Sequence, residues 1–400
     1  MTSFCCRHCS SPLADPILDL GHQPPSNAYL TPEQINDVEY FLPLKLYICT
    51  NCWLVQLPLY AQAQDLFTDD YAYFSSTSIT WCNHARIFVD ETISRLNLDK
   101  NSRVVEIASN DGYLLQNFVR RNIPCVGIEP TLATAEAARY KGIPTMQEFF
   151  GSSLAQELDQ ADLVIANNVL AHVPDINDFI KGIATLLRPT GFASIEFPHL
   201  LRLIEEAQFD TIYHEHYSYL SLGIVLRIAA SVGLQVCDVE ELPTHGGSLR
   251  VWLCHYNFTP INANIQRILD QESEAGLKKL DSYSALQVKS EKAKYQLLKY
   301  LINSKEAGKK LLAYGAAAKG NTLLNYAGIK ADLIPYVIDR APSKQGKFLP
   351  GSHIPIVSEK ILENFKPDNI LVLPWNLIDE VKLQLPDYKL VTAMPHIKQW

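Results

Sequence analysis

The sequence lacks the features that mark a membrane protein. No window of its 400 residues holds the ~18 apolar residues in a row that a helix needs to cross a bilayer. The first five residues, Met1 to Cys5, contain no basic region followed by an apolar stretch, so no secretory signal is predicted. We therefore expect a cytoplasmic protein that does not contact a membrane.

Long runs of lysine and arginine are also absent. The formal net charge is -8, so the chain has no basic patch of the kind that binds nucleic acid. Hydrophobic residues make up 47% of the sequence, which is enough for more than one core, because single cores stop growing near ~250–300 residues. The composition excludes a nucleic-acid partner and favours two or three globular domains that act on a small substrate.

Nine cysteines are present, an odd number that does not suit a disulfide framework in a chain without an export signal. Four of them form two Cys-x-x-Cys pairs, Cys6 with Cys9 and Cys49 with Cys52. Two such pairs predict a tetrahedral zinc site. Four cysteine ligands leave no open position on the metal, so zinc is expected to stabilise the fold and not to catalyse. The alternative ligands are Cys5, His8 and His22.

The segment that begins at Arg103 predicts a cofactor-binding α/β unit. A buried strand leads into a tight turn at Gly112, and the next strand ends at an acid, Glu129. The expected strands are 103–107, 125–128, 161–166 and 191–197, and the expected helices are 113–121 and 175–187. This alternation predicts a doubly wound, Rossmann-like sheet.

The turn after the first strand distinguishes between two cofactors. Ala108 and Asn110 stand where a dinucleotide-binding loop would have glycine for the close approach of a diphosphate. S-adenosylmethionine has no phosphate, and its cationic part suits a nearby carboxylate such as Glu106. Glu129 lies where an acid accepts both ribose hydroxyls. The candidate cofactor-binding residues are Glu106, Ala108, Ser109, Asn110, Gly112, Glu129, Asn167 and Asn168.

Several motifs are spread over nearly the whole chain. They are the two Cys-x-x-Cys pairs, Tyr-Ala-Tyr-Phe-Ser-Ser-Thr-Ser at 71–78, Glu-Ile-Ala-Ser-Asn-Asp-Gly at 106–112, Asn-Val-Leu-Ala-His-Val-Pro-Asp at 168–175, Tyr-His-Glu-His-Tyr-Ser-Tyr at 213–219 and His-Gly-Gly-Ser-Leu-Arg at 245–250. Together they resemble the sugar 3-C-methyltransferases of deoxysugar pathways, which are class I methyltransferases. The resemblance implies a zinc-binding module (1–65), a methyltransferase core (66–258) and a helical connection with a C-terminal Rossmann-like domain (259–400).

Carbon methylation beside a ketone requires a base, donors that stabilise an enolate oxygen, and a methyl sulfonium in line with the carbon. The resemblance implies that His216 is the base and that Glu215, Tyr213 and His172 line the sugar site. Histidine suits this role because its unperturbed pKa near ~6.5 leaves a neutral imidazole at cytoplasmic pH. The candidates for an aromatic lid that excludes water are Tyr71 and Tyr73.

The run from 213 to 217 would divide its side chains between two faces if it were extended. Tyr213, Glu215 and Tyr217 would share one face, and His214 and His216 the other. A turn at this point would relax that division. A second metal site is an alternative, although the His-Glu-x-x-His spacing of a helical zinc site is absent.

The last third of the chain predicts a second Rossmann-like half. One or two helices are expected over 261–308, a strand and helix follow from Lys310, another strand ends at Asp339, and residues 370–376 are expected to close the sheet. Small residues at the helix N-terminus make a diphosphate cradle from backbone N–H groups. The resemblance implies that this domain holds the nucleotide. The candidate substrate-binding residues are His214, His245, Ala316, Ala317, Lys319, Asn321, Asp339 and Lys344, with Lys347 as a further charge.

The resemblance therefore implies an S-adenosylmethionine-dependent enzyme that methylates C3 of a nucleotide-diphosphate 4-keto-deoxysugar through an enolate. The alternatives are oxygen or nitrogen methylation and an NAD(P)-dependent nucleotide-sugar oxidoreductase. The oxidoreductase is disfavoured because the C-terminal turn lacks the full Gly-x-Gly-x-x-Gly spacing. A zinc-binding interaction module without catalysis would leave most of the chain unexplained.

Overall fold

The computed structural model describes residues 4–66 and 74–400. Within these ranges, no helix is both long and apolar enough to span a membrane. The strands form three sheets, of four, seven and six strands, which we call the N-terminal, central and C-terminal sheets.

The bounds of the elements are as follows. The strands are β1 Leu18–Gln23, β2 Leu42–Ile48, β3 Val55–Gln56, β4 Val104–Ile107, β5 Cys125–Ile128, β6 Thr145–Met146, β7 Ala161–Asn167, β8 Leu187–Pro198, β9 Ser218–Tyr219, β10 Leu234–Leu242, β11 Ser248–His255, β12 Leu311–Tyr314, β13 Val337–Ile338, β14 Ile356–Val357, β15 Asn369–Val372, β16 Leu390–Thr392 and β17 Lys398–Gln399. The α-helices are α1 Ala63–Leu66, α2 Ile79–Leu96, α3 Gln116–Val119, α4 Leu132–Tyr140, α5 Ser152–Glu157, α6 Ile176–Leu186, α7 Leu200–Glu206, α8 Leu222–Ala230, α9 Asn264–Glu274, α10 Ala285–Glu306, α11 Ala318–Ala327, α12 Ile361–Phe365 and α13 Ile378–Gln384.

The central sheet has the order β10-β11-β8-β7-β4-β5-β6. Its strands are parallel except β11, which is antiparallel to both β8 and β10. All four side chains of β4 are buried, as a parallel strand covered on both faces requires. The chain reverses its direction of winding between β4 and β7, and ligands bind at the carboxyl ends of the strands at such a point. The predicted doubly wound sheet is confirmed.

The C-terminal sheet has the order β14-β13-β12-β15-β16-β17, and only β17 is antiparallel to its neighbour. The expectation that residues 370–376 close this sheet is wrong, because β15 lies inside it and β16 and β17 extend the edge. One or two helices are expected over 261–308, and two are present, α9 and α10. The helix expected over 113–121 is only the single turn α3, which follows several residues in turns.

The N-terminal sheet is completed by a strand from much later in the chain. β9 pairs with β3, so Ser218 and Tyr219 lie beside Gln56 and Val55. One apolar core contains residues of this sheet, of α7 and α10, and of the C-terminal sheet. A second core joins Cys6, Cys49 and Cys52 to the central sheet. The N-terminal and C-terminal sheets therefore share one core, and the cysteine cluster shares another with the central sheet.

The C-terminal sheet also contacts the segment that carries the histidine-rich run. Helix α11 packs on the 3-10 turn Phe209–Thr211, and the Thr322 hydroxyl donates to the Ile212 carbonyl at 2.9 Å. Tyr213 follows directly. The first turns of α11 are thereby held beside residues 213–216.

Candidate active site

The four predicted zinc ligands lie together. The Sγ atoms of Cys6, Cys9, Cys49 and Cys52 are all within 4.8 Å of one another, and two of the pairs are 3.5 Å apart. Four sulfurs around one zinc ion at ~2.3 Å lie about 3.8 Å from each other, which fits this group. Cys5 is exposed and is not part of the cluster.

Side-chain amides donate to the sulfur atoms, and neighbouring residues tie the cluster to the central sheet. The Gln56 amide lies 3.2 Å from Cys6 Sγ, a contact that suits a thiolate. His8, an alternative ligand, instead has its Nδ1 2.7 Å from the Asn177 side-chain oxygen. The Arg227 guanidinium donates to the Asn51 carbonyl at 2.9 Å. Because α6 and α8 carry Asn177 and Arg227, the cysteine cluster is anchored on the helices beside the central sheet.

The loop after β4 has left-handed backbone, of the kind that glycine usually adopts, at residues that are mostly not glycine. Ala108 and Asn110 have φ of 55° and 50°, in the left-handed region that glycine favours, and Gly112 has φ of 74°. A Cβ on Gly112 would lie 2.2 Å from the Ile143 side chain. Left-handed backbone at a non-glycine residue costs of order 1 kcal/mol and persists where function requires it. The candidate cofactor loop is therefore strained.

The two carboxylates near this loop have different roles. Glu129 accepts hydrogen bonds from the Asn110 N–H at 2.9 Å and from the Thr131 hydroxyl at 2.6 Å, so it fixes the loop. Glu106 is fully buried, and burial together with Glu129 and Asp111 raises its pKa well above the ordinary value. Its Oε2 atom has no partner in the described ranges.

Other polar groups around the loop are also unsatisfied within the part of the chain that the structure describes. They are Ser109 Oγ, Asp111 Oδ1, Asn167 Oδ1 and both amide atoms of Asn168. Buried polar atoms normally have partners, so this ring of atoms fits a polar ligand such as S-adenosylmethionine. The Ser75 N–H donates to Asn110 at 2.8 Å, which places the segment before α2 over the loop. Tyr71 and Tyr73, the predicted lid, lie outside the described residues.

The histidine-rich run forms a turn and not an extended strand. The His216 N–H donates to the Tyr213 carbonyl at 2.9 Å, and this turn brings the Tyr213 hydroxyl to 2.6 Å from His216 Nε2. His216 Nδ1 lies 2.8 Å from the Thr211 carbonyl, which can only accept, so Nδ1 carries the proton. The Nε2 lone pair therefore faces the Tyr213 hydroxyl. The extended arrangement considered from the sequence is wrong because the turn closes on itself.

His216 is held neutral by its surroundings. Burial, with further contributions from His172, Lys319 and His245, lowers the pKa of His216 well below its ordinary value. The rings of His172 and His216 meet edge to face at 4.5 Å. Desolvation lowers the pKa of His172 to about 4. The structure therefore brings three predicted residues together, His216, Tyr213 and His172.

Glu215 points to a partner that the sequence did not suggest. Its Oε1 accepts from the Asn27 amide at 3.2 Å, and Oε2 has no partner among residues 4–66 and 74–400. Burial raises the pKa of Glu215 to about 7. Asn27 lies between β1 and β2, and 188 residues separate it from Glu215. No local motif marks Asn27, so only the fold reveals it.

The C-terminal candidates form a second loop-and-acid arrangement. Asp339 accepts from the Ala316 N–H at 2.8 Å and from the Ala341 N–H at 2.9 Å, as Glu129 does in the central sheet. Lys344 donates to the Ala316 carbonyl at 2.8 Å, and the Tyr29 hydroxyl reaches the same carbonyl at 2.7 Å. Asp339 and Lys344 thus hold the loop that contains Ala316 and Ala317.

Lys319 and Asn321 lie at the start of α11. The Lys319 ammonium is 3.4 Å from the His245 carbonyl and 3.1 Å from the Asn376 side chain, so it faces the central sheet. Desolvation lowers the pKa of Lys319 to about 8, against the effect of the Asp210 carboxylate. The Asn321 side chain is 1% exposed, and neither of its amide atoms has a partner in the described ranges.

His214 and His245 have different neighbours. His214 Nε2 lies 3.2 Å from the Pro43 carbonyl, and desolvation lowers the pKa of His214. His245 has φ of 56°, its ring is 5.2 Å from Trp81, and desolvation lowers its pKa to about 4. Lys319 and His245 both lie near enough to His216 to lower its pKa, so predicted residues of the C-terminal and central sheets meet around His216.

Three family models match consecutive parts of the chain. A zinc binding domain matches residues 6–67, a methyltransferase domain matches residues 73–239, and a C-methyltransferase C-terminal domain matches residues 243–394. The order of these matches follows the order of the three sheets.

Known proteins are similar to most of the chain or to a smaller part of it. C-methyltransferase NovU of Streptomyces niveus is 32% identical over 381 residues, which cover 94% of this chain and 90% of NovU. Ubiquinone biosynthesis O-methyltransferase of Rhodopseudomonas palustris (strain TIE-1) is 28% identical over 93 residues, 22% of this chain and 37% of that protein. Among solved structures, magnesium protoporphyrin IX methyltransferase ChlM from Synechocystis with bound SAH has a TM-score of 0.36 at 15% identity, over 44% of this chain and 83% of that chain. The likeness to NovU spans all three sheets.

Proposed function

Because the chain belongs to the family of S-adenosylmethionine-dependent C-methyltransferases to which NovU belongs, we propose that it methylates C3 of a nucleotide-diphosphate 4-keto-deoxysugar. The observation that carries this proposal is the Tyr213–His216 pair, which combines a neutral base with a hydroxyl donor. A carbon beside a ketone needs both of these groups before it can accept a methyl group. Oxygen and nitrogen acceptors need no carbon deprotonation.

His216 is the base in this proposal. The Thr211 carbonyl accepts the Nδ1 proton, which leaves Nε2 to take the proton from C3. The Thr211 carbonyl then stabilises the positive charge of the imidazolium. The Tyr213 hydroxyl, which donates to Nε2 before the substrate binds, is released to donate to the enolate oxygen. Tyr213 thus gives up its hydrogen bond to His216 Nε2 and forms one to the enolate oxygen as negative charge develops there.

The cofactor loop orients the methyl donor. S-adenosylmethionine, when bound, supplies an electrophilic methyl group on a sulfonium. Asp111 places a carboxylate near that cation, Glu106 offers a buried carboxyl group whose raised pKa keeps it protonated, and Glu129 fixes the loop at Asn110. Asn168 follows β7, and its side-chain amide atoms, which have no partner among the residues that the structure describes, offer hydrogen bonds to a ligand. These residues hold the donor and keep water from the reacting carbon.

The first turn of α11 holds the nucleotide diphosphate. The backbone N–H groups at the start of this helix attract an anion, and Lys319 adds a positive charge on the side that faces His216. The Asn321 amide, whose atoms have no partner in residues 4–66 and 74–400, offers further hydrogen bonds. Asp339 and Lys344 keep the loop at Ala316 in shape. Binding the nucleotide here brings the sugar toward the Tyr213–His216 pair.

The test combines methyl transfer with proton exchange. The protein is incubated with methyl-labelled S-adenosylmethionine and a panel of nucleotide-diphosphate keto-deoxysugars, and the labelled atom is located by NMR. A second sample without S-adenosylmethionine is kept in D₂O, where C3 is expected to exchange its proton for deuterium because His216 forms the enolate. Label on oxygen or nitrogen, or label on carbon without exchange at C3, would contradict the proposal.

A further inference from the structure

Glu196 is a buried carboxylate that none of the predicted roles includes. It lies near the end of β8, has no exposed surface, and accepts hydrogen bonds from three side chains. His84 and Arg250 each lie 3.0 Å from Oε2, and the Thr244 hydroxyl donates to Oε1 at 3.0 Å. Burial would raise the pKa of Glu196, but the hydrogen bond and charge of His84 and the charge of Arg250 bring it to about 2. The group is therefore a fixed negative charge.

The turn that Glu196 holds through Thr244 is strained. The next residue, His245, has φ of 56°, and Gly246 and Gly247 have φ of 89° and 114°. A Cβ on Gly246 would lie 2.4 Å from the Trp375 ring. His245 Nε2 is buried and has no partner among the residues that the structure describes. A strained turn that presents one unsatisfied polar atom is typical of a ligand-contacting loop.

The position of Glu196 connects this turn to the candidate active site. The Asn168 N–H donates to the Glu196 carbonyl at 2.7 Å, so the two residues are neighbours at the ends of β7 and β8. His84 lies on α2, and its ring stacks on Trp81 at 4.9 Å. Trp81 in turn contacts the His245 ring at 5.2 Å. The Glu196 carboxylate thus contacts the turn in two ways. It accepts a hydrogen bond from Thr244, the residue before His245, and it binds His84, whose ring stacks on the Trp81 ring that contacts His245.

We propose that Glu196 is a positioning residue that holds the Thr244–His245 turn so that His245 Nε2 contacts the methyl acceptor. The inference rests on the proposed function, because a polar acceptor bound beside Asn168 and His216 is what Nε2 would meet. Glu196 itself touches no substrate. It acts through the hydroxyl of Thr244 and through the packing of His84 on Trp81.

The test removes the link between Glu196 and the turn. Thr244→Val deletes the hydroxyl and keeps the shape of the side chain, while His84 and Arg250 stay paired with Glu196. We expect the KM for the nucleotide-diphosphate keto-deoxysugar to rise about tenfold, with kcat and the KM for S-adenosylmethionine unchanged. His245→Ala should raise the same KM at least as much. The double variant should be no worse than His245→Ala, because both changes remove one contact.

Glu240→Gln is the matched control. Glu240 accepts from the other side of Arg250 at 3.3 Å and from Trp252 at 2.7 Å, so this variant disturbs the ion pair without touching Thr244. A measurement that needs no acceptor is amide hydrogen exchange at Gly247, whose N–H donates to the Thr244 carbonyl at 2.9 Å. Faster exchange in Thr244→Val supports the inference.

Four outcomes decide between the inference and the proposed function. Unchanged exchange at Gly247 in Thr244→Val overturns the inference. An unchanged KM for the acceptor, or effects that multiply in the double variant, overturn it as well. If the wild-type protein methylates none of the sugars, the proposed function fails by itself, and the exchange measurement still decides whether Glu196 anchors the turn.

Discussion

The proton on His216 is placed by a single backbone carbonyl. Thr211 accepts from Nδ1, so the basic atom of the ring is the one that faces Tyr213. This choice depends on the short turn from Tyr213 to His216 and on the 3-10 turn before it. The chemistry assigned to His216 is therefore a property of the backbone around the ring as much as of the imidazole.

His216→Gln tests this assignment. We expect kcat for carbon methylation to fall about 10³-fold, because general bases contribute ~10²–10⁴ to rate. Binding of S-adenosylmethionine, measured by calorimetry, should change less than about twofold. His22→Gln, at an exposed position, is the control and should keep full activity. Turnover near the wild-type value in His216→Gln would remove His216 as the base.

Glu215 makes the stability of the protein depend on pH. Its pKa is about 7 in the folded protein because it is buried, compared with 4.5 as the ordinary value. Between these two pH values the folded state holds a proton on Glu215 that the unfolded state releases. The stability that Glu215 contributes is therefore present at low pH, and the free energy of unfolding falls as the pH rises toward 7. Glu215→Gln removes the titrating group.

The expected result is a difference in the free energy of unfolding between the wild-type protein and Glu215→Gln that changes with pH. From pH 5 to pH 7.5 the free energy of unfolding of the wild-type protein should fall relative to that of Glu215→Gln, by about 3 kcal/mol at most. Urea denaturation at constant zinc concentration measures this difference. Glu274→Gln, at an exposed position, should follow the wild-type curve. A difference that grows in the opposite direction would contradict the buried, protonated state of Glu215.

At the scale of single elements, the loop from Ala108 to Gly112 adopts left-handed backbone at three positions although only one of them is glycine. Ala108 and Asn110 accept the left-handed conformation, and the surrounding contacts from Ser75 and Glu129 hold them there. Gly112 is different, since the Ile143 side chain leaves no room for a Cβ. The cost of left-handed backbone and the cost of a steric clash at the Cβ can therefore be measured separately.

Gly112→Ala and Gly142→Ala form a matched pair. Both glycines have φ near the same left-handed value, 74° and 78°, but a Cβ on Gly142 meets nothing within 4 Å. We expect Gly142→Ala to cost about 1 kcal/mol from strain alone and Gly112→Ala about 3 kcal/mol, with weaker S-adenosylmethionine binding. Thermal unfolding with and without the cofactor measures both effects. Equal losses for the two variants would show that Ile143 yields to the added methyl group.

The elements that the sequence predicts well are those with local signals. Spacing alone predicts the Cys-x-x-Cys pairs, the strand before Gly112 and the acid Glu129. The class I methyltransferase core and the four-cysteine cluster are confirmed. The sequence does not predict the turn at 213–216 or the inner position of β15, because both depend on contacts with residues far along the chain. Asn27 and Glu196 are missed for the same reason, since nothing near them in sequence resembles a motif.

At the scale of the whole molecule, the zinc site contributes to a core that it shares with the central sheet. Cys6, Cys49 and Cys52 are buried together with residues of β7 and α6. Asn27, which contacts Glu215, belongs to the segment between the two cysteine pairs. Loss of the metal is therefore expected to affect both stability and the candidate active site.

Cys49→Ser and Cys5→Ser test the role of the metal. Cys49→Ser should lose zinc, lower the Tm by roughly 5–10 °C and lose most methyl transfer, because the segment that carries Asn27 is no longer held. Cys5→Ser changes an exposed thiol outside the cluster and should retain about one zinc per chain. Metal analysis, thermal unfolding and activity are measured together. Full activity in zinc-free Cys49→Ser protein would show that the site is dispensable.

The pairing of β3 with β9 sets the order in which the protein can be completed during synthesis. The ribosome delivers both cysteine pairs early, but the strand that finishes their sheet arrives only when Ser218 and Tyr219 emerge. Until then β3 presents an open edge, which invites pairing with other nascent chains. A gene fragment that ends before residue 218 would carry that edge permanently. We therefore expect the N-terminal module, expressed by itself, to aggregate even when zinc is supplied.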